Sequence, residues 1–229
     1  MKLSIIICVF NEKKTIEKII KKINQVILPF ELKKEFIIID NNSFDGTKEI
    51  LTKYNKINNF KIFYNTKNYG KGYSISKGIK NASGDFIIFQ DADLEYDPND
   101  YVRLINHLNN NNLDFVFGSR ILNNKKYHRY NIHEFVVRFY TFLINLIYRA
   151  SFTDTATNYK LFKSEILKDL NFTSYSFAID FEVTIKLIKK KYKYGEIPIS
   201  YSPRTYKEGK KINIFDAIKS LIIIIRLIF

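Results

Sequence analysis

Gly84-Asp85-Phe86-Ile87-Ile88-Phe89-Gln90-Asp91-Ala92-Asp93-Leu94-Glu95 decides how the rest of the chain is read. Four large apolar residues in a row describe a short buried strand, and the run stops at carboxylates. Asp85, Asp91, Asp93, Glu95, Asp97 and Asp100 follow one another with no Lys or Arg among them, in a chain of formal charge +14. In extended backbone every second side chain points the same way, so Asp91, Asp93 and Glu95 are expected to converge just past the strand end. Bare, they repel; a hard divalent cation, Mg²⁺ or Mn²⁺, resolves the repulsion and keeps positions open for phosphate oxygens. The plainer alternative is a solvated loop whose acids precede a helix starting at Asp97-Pro98.

Outward from this stretch, Leu3–Phe10, Glu35–Asp40, Phe60–Tyr64 and Asp114–Gly118 are further short runs rich in β-branched and aromatic residues. Between them, Ile16, Ile19, Ile20 and Ile23 have helical spacing, as do Ile50, Leu51 and Tyr54, and Tyr101, Val102, Ile105 and Leu108. Strand and helix alternating over the first 120 residues predict an α/β fold with a mostly parallel sheet flanked by helices. Ligands of such sheets gather at the carboxyl ends of the strands. Three other strand ends carry polar clusters. They are Phe10-Asn11-Glu12, Asp40-Asn41-Asn42-Ser43-Phe44-Asp45-Gly46-Thr47, and the turn Asn68-Tyr69-Gly70-Lys71-Gly72 ahead of a helix. That turn offers backbone donors and Lys71 near a helix N-terminus, which suits phosphate. The spacing of a P-loop and the Gly-x-Gly-x-x-Gly of dinucleotide sites are both missing, which argues against ATPase and dehydrogenase readings.

Composition narrows the class. Of 229 residues 46% are hydrophobic and 26% charged, which excludes a disordered tail, a collagen-like chain and a polytopic membrane protein. Lys and Arg number 37 against 23 Asp and Glu, a balance that suits an anionic partner, although lysine enrichment from an AT-rich genome gives the same count. The single Cys8 sits in an apolar run and is expected to be a small core residue in a reducing compartment. No signal peptide is visible, so a cytoplasmic location is expected.

Residues 131–150 break the rhythm. Glu134, Arg138, Thr141, Asn145 and Arg149 form one narrow polar stripe at helical spacing, with apolar residues all around. A second such segment runs from Ile214 to Phe229, and its 16 residues span roughly 24 Å, short of a ~30 Å hydrocarbon core. Both are expected to be amphipathic helices lying at an interface rather than crossing it; packing on the sheet or on a second copy is the alternative. The expected organisation is a catalytic unit over 1–211, containing the 131–150 helix, and a C-terminal amphipathic helix over 212–229. From Arg120 to Arg149, basic residues 120, 125, 126, 129, 138 and 149 outnumber Glu134. From Arg204 onward, basic residues 204, 207, 210, 211, 219 and 226 outnumber Glu208 and Asp216.

Taken together and in order, these motifs resemble the family 2 glycosyltransferases of the Rossmann-like GT-A fold, from Ser4 to about Arg204. Asp40-Asn41-Asn42-Ser43-Phe44-Asp45-Gly46-Thr47 departs from that family's pattern at Asn41 and Asn42. Gly118-Ser119-Arg120, Asp154 followed by Asn158-Tyr159-Lys160, and Glu196-Ile197-Pro198-Ile199 leading to Arg204 and Gly209-Lys210-Lys211 resemble the dolichol- or polyprenyl-phosphate hexose transferases. The family commonly has Gly where Asn158 stands.

The resemblance implies an inverting transferase that moves a hexose from UDP- or GDP-hexose to a polyprenyl or dolichyl phosphate, at the cytoplasmic side of an anionic membrane surface and without nucleic acid. It implies Phe10, Asn11, Glu12, Asp40, Asn42 and Lys71 at the donor nucleotide. It places Asp91, Asp93 and Glu95 on the metal, Asp91, Asp93 and Arg204 at the reacting centre, and Arg120, Arg138 and Arg204 on the acceptor phosphate. A phosphate acceptor needs no strong base. A sugar or lipid hydroxyl would need one, and Asp180 and Glu182 are the candidates, with a helix N-terminus as their plainer role. An Asp-x-Asp-x-Thr phosphatase is disfavoured because Glu95 stands where the Thr belongs. A non-catalytic basic membrane- or RNA-binding module explains the charge but leaves the acidic stretch without a purpose.

Overall fold

The computed structural model describes residues 1–122, 131–205, 208–209 and 214–228. Lys125, Lys126, Arg129, Lys207, Lys210 and Lys211, counted above, lie outside them. The first half alternates as expected: β1 (Lys2–Val9), α1 (Ile16–Gln25), β2 (Lys33–Asp40), α2 (Thr47–Thr52), β3 (Phe60–Tyr64), α3 (Lys71–Asn81), β4 (Phe86–Asp91), α4 (Asp100–Asn110) and β5 (Phe115–Ser119). The second half is α5 (Asn131–Tyr148), β6 (Lys160–Lys163), α6 (Ser164–Lys168), α7 (Ile179–Lys189), β7 (Tyr194–Pro198) and α8 (Ile214–Arg226). Seven strands form one sheet in the order β3-β2-β1-β4-β6-β5-β7. Only β6 runs antiparallel, wedged between β4 and β5; the other pairings are parallel.

Both faces of the sheet are covered, which is why its strands are apolar without alternation. Ile5, Ile7 and Val9 of β1, Phe36 and Ile38 of β2 and Ile88 of β4 point to one face, against α1 and α4. Ile6, Ile37, Ile39, Ile87 and Phe89 point to the other, against α3, α6 and α7. A third apolar cluster joins α5, α7 and α8 through Tyr140, Ile144, Phe181, Ile185 and Ile224.

Within α5 the middle of the polar stripe, Thr141 and Asn145, is turned inward, while Arg138 and, just past the helix, Arg149 are exposed. Thr141 is buried with its hydroxyl 2.9 Å from that of Thr155, and Asn145 both accepts from the Phe152 N–H and donates to the Phe152 carbonyl. The outward side instead shows Ile132, Phe135, Phe139, Phe142 and Leu146 at spacings of three and four. On α8 and the turn after it, Phe215, Ile218, Ile222, Ile225 and Ile228 form a matching exposed row. Among the described residues no helix is long and apolar enough to cross a membrane.

The chain winds from β1 out to β3, then returns across to β4 on the other side of β1. The carboxyl ends of β1 and β4 are therefore the point where the winding reverses, and a crevice opens there. Cys8 pairs with Asp91 across that point.

Candidate active site

A cavity of about 710 Å³ occupies the crevice. One wall is charged and carries Glu12, Lys71, Asp91, Asp93, Glu95 and Arg204; another is apolar, with Val136, Val137 and Tyr140 of α5, Phe177 and Phe181, and Ala217 of α8. The two walls make one space able to take a charged group and an apolar one together.

The carboxylates meet by a route other than strand alternation. β4 ends at Asp91, and the next residues turn, with Leu94 in the left-handed region at φ 66°. The Glu95 N–H donates to Asp93 Oδ1 at 3.1 Å, closing the turn that an Asp favours. Tyr96 then bridges to Tyr201, which returns the segment after β7 to the acidic turn. Ser202 N–H donates to the Glu95 carbonyl at 2.8 Å, Tyr201 Oη donates to Glu95 Oε2 at 2.6 Å, and Arg204 N–H donates to Glu95 Oε1 at 2.8 Å. This seating drives the Arg204 guanidinium among the acids, 2.8 Å from Asp93 Oδ2 and 3.2 Å from both Glu12 oxygens. Its Nε lies 3.6 Å from Glu95 Oε1.

Charge here is crowded. Burial, then Asp91 and Glu95, push the Asp93 carboxyl up to about 7, although Arg204 works against them. Burial raises Asp91 as well, opposed by Lys71 and reinforced by Asp180 and Glu95. Lys71 lies 3.6 Å from Asp91 and 3.2 Å from Asp180; burial disfavours its charge, but Asp180 and Asp91 more than offset that and hold the ammonium above its ordinary range. The donor set offered to a metal is all carboxylate oxygen, and its surplus negative charge fits a hard cation in kind. Among the described residues no three acidic, His or Cys groups are arranged as a ready metal cage, and the reason is visible: Asp93 and Glu95 face Arg204.

The cavity brings together Phe10, Glu12, Lys71, Asp91, Asp93, Glu95, Arg120 and Arg204 of the residues singled out from sequence. Asn11, Asp40 and Asn42 do not line it, because each is committed to the loops behind its wall. Asn11, at φ 51°, accepts from the Phe44 N–H; buried Asp40 accepts from the Ser43 N–H; and Asn42, at φ 66°, accepts from Lys48 Nζ at 2.8 Å. Arg138 does not line it either: it is exposed and pairs with Glu134 one turn earlier, at 3.0 Å. Arg120 lines the cavity but is buried in a two-pronged pair with Asp154, at 2.7 and 2.8 Å, under the ring of Tyr201. Its charge is matched from within, unlike the acceptor-phosphate ligand expected of it.

Of the two candidate bases, Asp180 reaches the cavity. Glu182 is buried, accepting from the N–H groups of Thr173 and Ser174 and pairing with Lys186 at 2.6 Å. Cys8 packs against the apolar cluster on the α3 face, as expected, and also lines the cavity; burial raises its thiol well above the ordinary range. Asn41, Asn68, Phe177, Phe181 and Tyr201 also line it, and sequence reasoning assigned none of them a role. The Phe177–Phe181 spacing of one helical turn was the available signal for the apolar wall.

Comparison with known proteins identifies the family and the fold. The model of the family described as Glycosyl transferase family 2 matches residues 4–171. An uncharacterised protein of Methanocaldococcus jannaschii is 31% identical over 204 residues, covering 85% of this chain and 86% of its own length. The dolichol-phosphate mannosyltransferase of Pyrococcus furiosus is 26% identical over 214 residues, and the match covers 92% of this chain but 59% of that protein. The cholesterol galactosyltransferase of Borreliella burgdorferi is 32% identical over 177 residues, covering 76% of this chain and 43% of that protein. Among solved structures, glucosyl-3-phosphoglycerate synthase of Mycobacterium tuberculosis, in complex with Mn²⁺, UDP and phosphoglyceric acid, superposes with a TM-score of 0.73. It is 16% identical, over 99% of this chain and 78% of that one. The same enzyme was also solved with Mg²⁺ and UDP, at a TM-score of 0.70, 15% identity, and 98% and 78% coverage of the two chains.

Proposed function

The chain belongs to glycosyl transferase family 2, and from that premise we propose that it moves a hexose from a nucleoside diphosphate sugar to a polyprenyl-type lipid phosphate at a membrane surface. The observation that carries this reading is the double character of the cavity. Its charged wall suits a diphosphate, and its apolar wall is built from α5 and α8, whose outer sides are the exposed apolar rows. A lipid held by its tail between those helices would present its phosphate to the charged wall. The dolichol-phosphate mannosyltransferase relative has an acceptor of this kind in its name, and the solved neighbours carry UDP with Mn²⁺ or Mg²⁺.

Asp91, Asp93 and Glu95 would hold Mg²⁺ or Mn²⁺, whose charge would offset that developing on the departing nucleoside diphosphate. Lys71, at the start of α3, adds a second positive group on the same side. Arg204, which pairs with Glu12 and Asp93, would meet the incoming phosphate, since its planar fork binds phosphate oxygens in pairs. Attack by an anionic phosphate oxygen on the anomeric carbon, opposite the leaving group, inverts that centre.

A second reading has support of its own. Asp180 lines the cavity and could take a proton from a lipid hydroxyl, and the relative named for cholesterol has such an acceptor. The test is transfer from labelled UDP- and GDP-hexoses, with Mn²⁺, to polyprenyl phosphate and to a lipid alcohol in parallel vesicles. Product on the phosphate alone supports the first reading; product on the alcohol alone, lost in Asp180→Asn, replaces it with the second.

A further inference from the structure

Tyr201 reaches two places with one side chain. Its hydroxyl donates to Glu95 Oε2 at 2.6 Å, and the guanidinium carbon of Arg120 lies 5.1 Å from the centre of its ring. The backbone bridge to Tyr96, and the Tyr96 ring with its centre 5.1 Å away, fix it in place. Burial holds the phenol well above its ordinary range, although Arg120 works the other way, so at neutral pH the hydroxyl donates and Glu95 accepts.

Glu95 is thereby held by a single segment. Oε2 takes the Tyr201 hydroxyl, Oε1 takes the Arg204 N–H at 2.8 Å, and the Glu95 carbonyl takes the Ser202 N–H at 2.8 Å. The two N–H bonds come from the backbone and do not depend on which side chain stands at position 201. The hydroxyl does. A carboxylate oxygen that already accepts a hydrogen bond gives less to a cation, because donor and cation draw on the same lone pairs.

We propose that Tyr201 is a positioning residue that restrains Glu95: its hydroxyl limits how strongly Glu95 binds the divalent cation, and ties the segment bearing Arg204 to the acidic turn. This inference rests on the assignment of Glu95 to the metal above and deepens it. Two effects of opposite sign follow from the one hydroxyl. Without it, Glu95 Oε2 has a lone pair that nothing in the segment fills, and the cation binds more tightly. The segment meanwhile loses one of its holds, and the Ser202 and Arg204 N–H groups open more often. A side chain of purely structural importance would weaken both when trimmed. The restraint suits turnover, since the nucleoside diphosphate must leave after each transfer and departs faster from a cation that the protein holds less tightly.

Tyr201→Phe keeps the ring over Arg120 and removes only the hydroxyl. Titration calorimetry of the full chain with Mn²⁺, alone and with saturating UDP or GDP, measures the first effect. Amide hydrogen exchange at Ser202 and Arg204 measures the second. In Tyr201→Phe, Mn²⁺ affinity is expected to rise about tenfold, which is ~1.4 kcal/mol, the size of one hydrogen bond to a charged group. Both amides should exchange faster. In a Glu95→Gln background the same substitution should change Mn²⁺ affinity by less than about twofold, because the effect runs through Glu95. Equal or weaker Mn²⁺ binding by Tyr201→Phe overturns the inference, as does an equal gain in the Glu95→Gln background, which would place the effect elsewhere. Unchanged exchange at both amides overturns it too, because the segment would then not need the hydroxyl. If wild type binds no Mn²⁺, alone or with either nucleotide, the metal assignment itself fails, and this inference with it.

Discussion

The guanidinium of Arg204 lies 2.8 Å from Asp93 Oδ2 and 3.2 Å from the carboxylate of Glu12, joining the C-terminal segment to the acidic turn after β4 and to the end of β1. A single side chain supplies the positive charge that three strand-end acids share.

Arg204→Ala removes that charge while leaving Glu12, Asp93 and Glu95 where they are. Deleting one partner of a largely buried ion pair costs about 3 kcal/mol. For a chain of this size that lowers the melting temperature by roughly 6–12 °C. Because Mn²⁺ can take over the missing charge, its stabilising effect is expected to be larger in the variant than in wild type. Calorimetric melts with and without Mn²⁺ check this; equal metal responses would show that Arg204 and the metal do not share the site.

Asp93→Asn is expected to abolish transfer and keep the fold. The Asp93 carboxyl is held up to about 7, from an ordinary 3.8, so between those values the folded chain binds more protons than the unfolded one. That contribution makes stability fall as pH rises across the window. The amide removes it. The variant should melt at or above wild type at pH 7.5, with a flatter profile from pH 4 to 7. A clearly lower melting temperature at pH 7.5 would mean the charged form is stabilising.

Glu35 shows the opposite sign. Burial works to raise its carboxyl, but hydrogen bonds from Ser4, Ser83 and Lys61 outweigh it and bring it down to about 2. Its stabilisation is complete above about 4.5 and is lost as pH falls toward 2. Glu35→Gln should cost on the order of 1–3 kcal/mol at pH 7 and lose part of the acid sensitivity. Urea midpoints between pH 6 and 2 measure both effects; parallel curves for variant and wild type would remove Glu35 from the acid response.

The first five strands and the intervening helices were legible because each is a short uninterrupted apolar run or a regular helical repeat. β6 was not. Lys160-Leu161-Phe162-Lys163 reads as a surface segment, yet Lys160 is fully buried, its ammonium donating to the carbonyls of Thr155 and Asp180. β7 was hidden by Gly195 and Pro198, which weaken any strand pattern. At the site, motif order placed Asp91, Asp93, Glu95 and Glu12 on the right strand ends. The resemblance also brought Arg204, 111 residues beyond Asp93, to the same centre, but not its pairing with the acids, which depends on the Tyr96–Tyr201 bridge. Helical spacing groups the polar residues of α5, but Thr141 and Asn145 face inward because of what they meet, Thr155 and Phe152, while Arg138 stays in solvent, and spacing alone carries no such information.

If the exposed rows of α5 and α8 meet a bilayer, the chain should float with vesicles of mixed neutral and anionic lipids. Basic side chains near an anionic surface contribute about 1 kcal/mol each and are screened by salt, whereas apolar insertion is not. Flotation should weaken at high salt without vanishing. Phe139→Glu combined with Ile222→Glu should abolish it while leaving UDP binding intact. Full flotation of that double variant would assign the rows to contacts between copies of the chain.

Because Thr141 and Asn145 hold α5 from the inside, the outer row of that helix carries little responsibility for folding. Its residues are thus open to replacement on a different schedule from the rest of the molecule. Over generations, such a row can drift to suit a new surface while the seam beneath it stays constant. At the bench, the same separation offers a handle: polar residues at Phe135, Phe142 and Leu146 should yield a monodisperse preparation with the catalytic crevice unaltered.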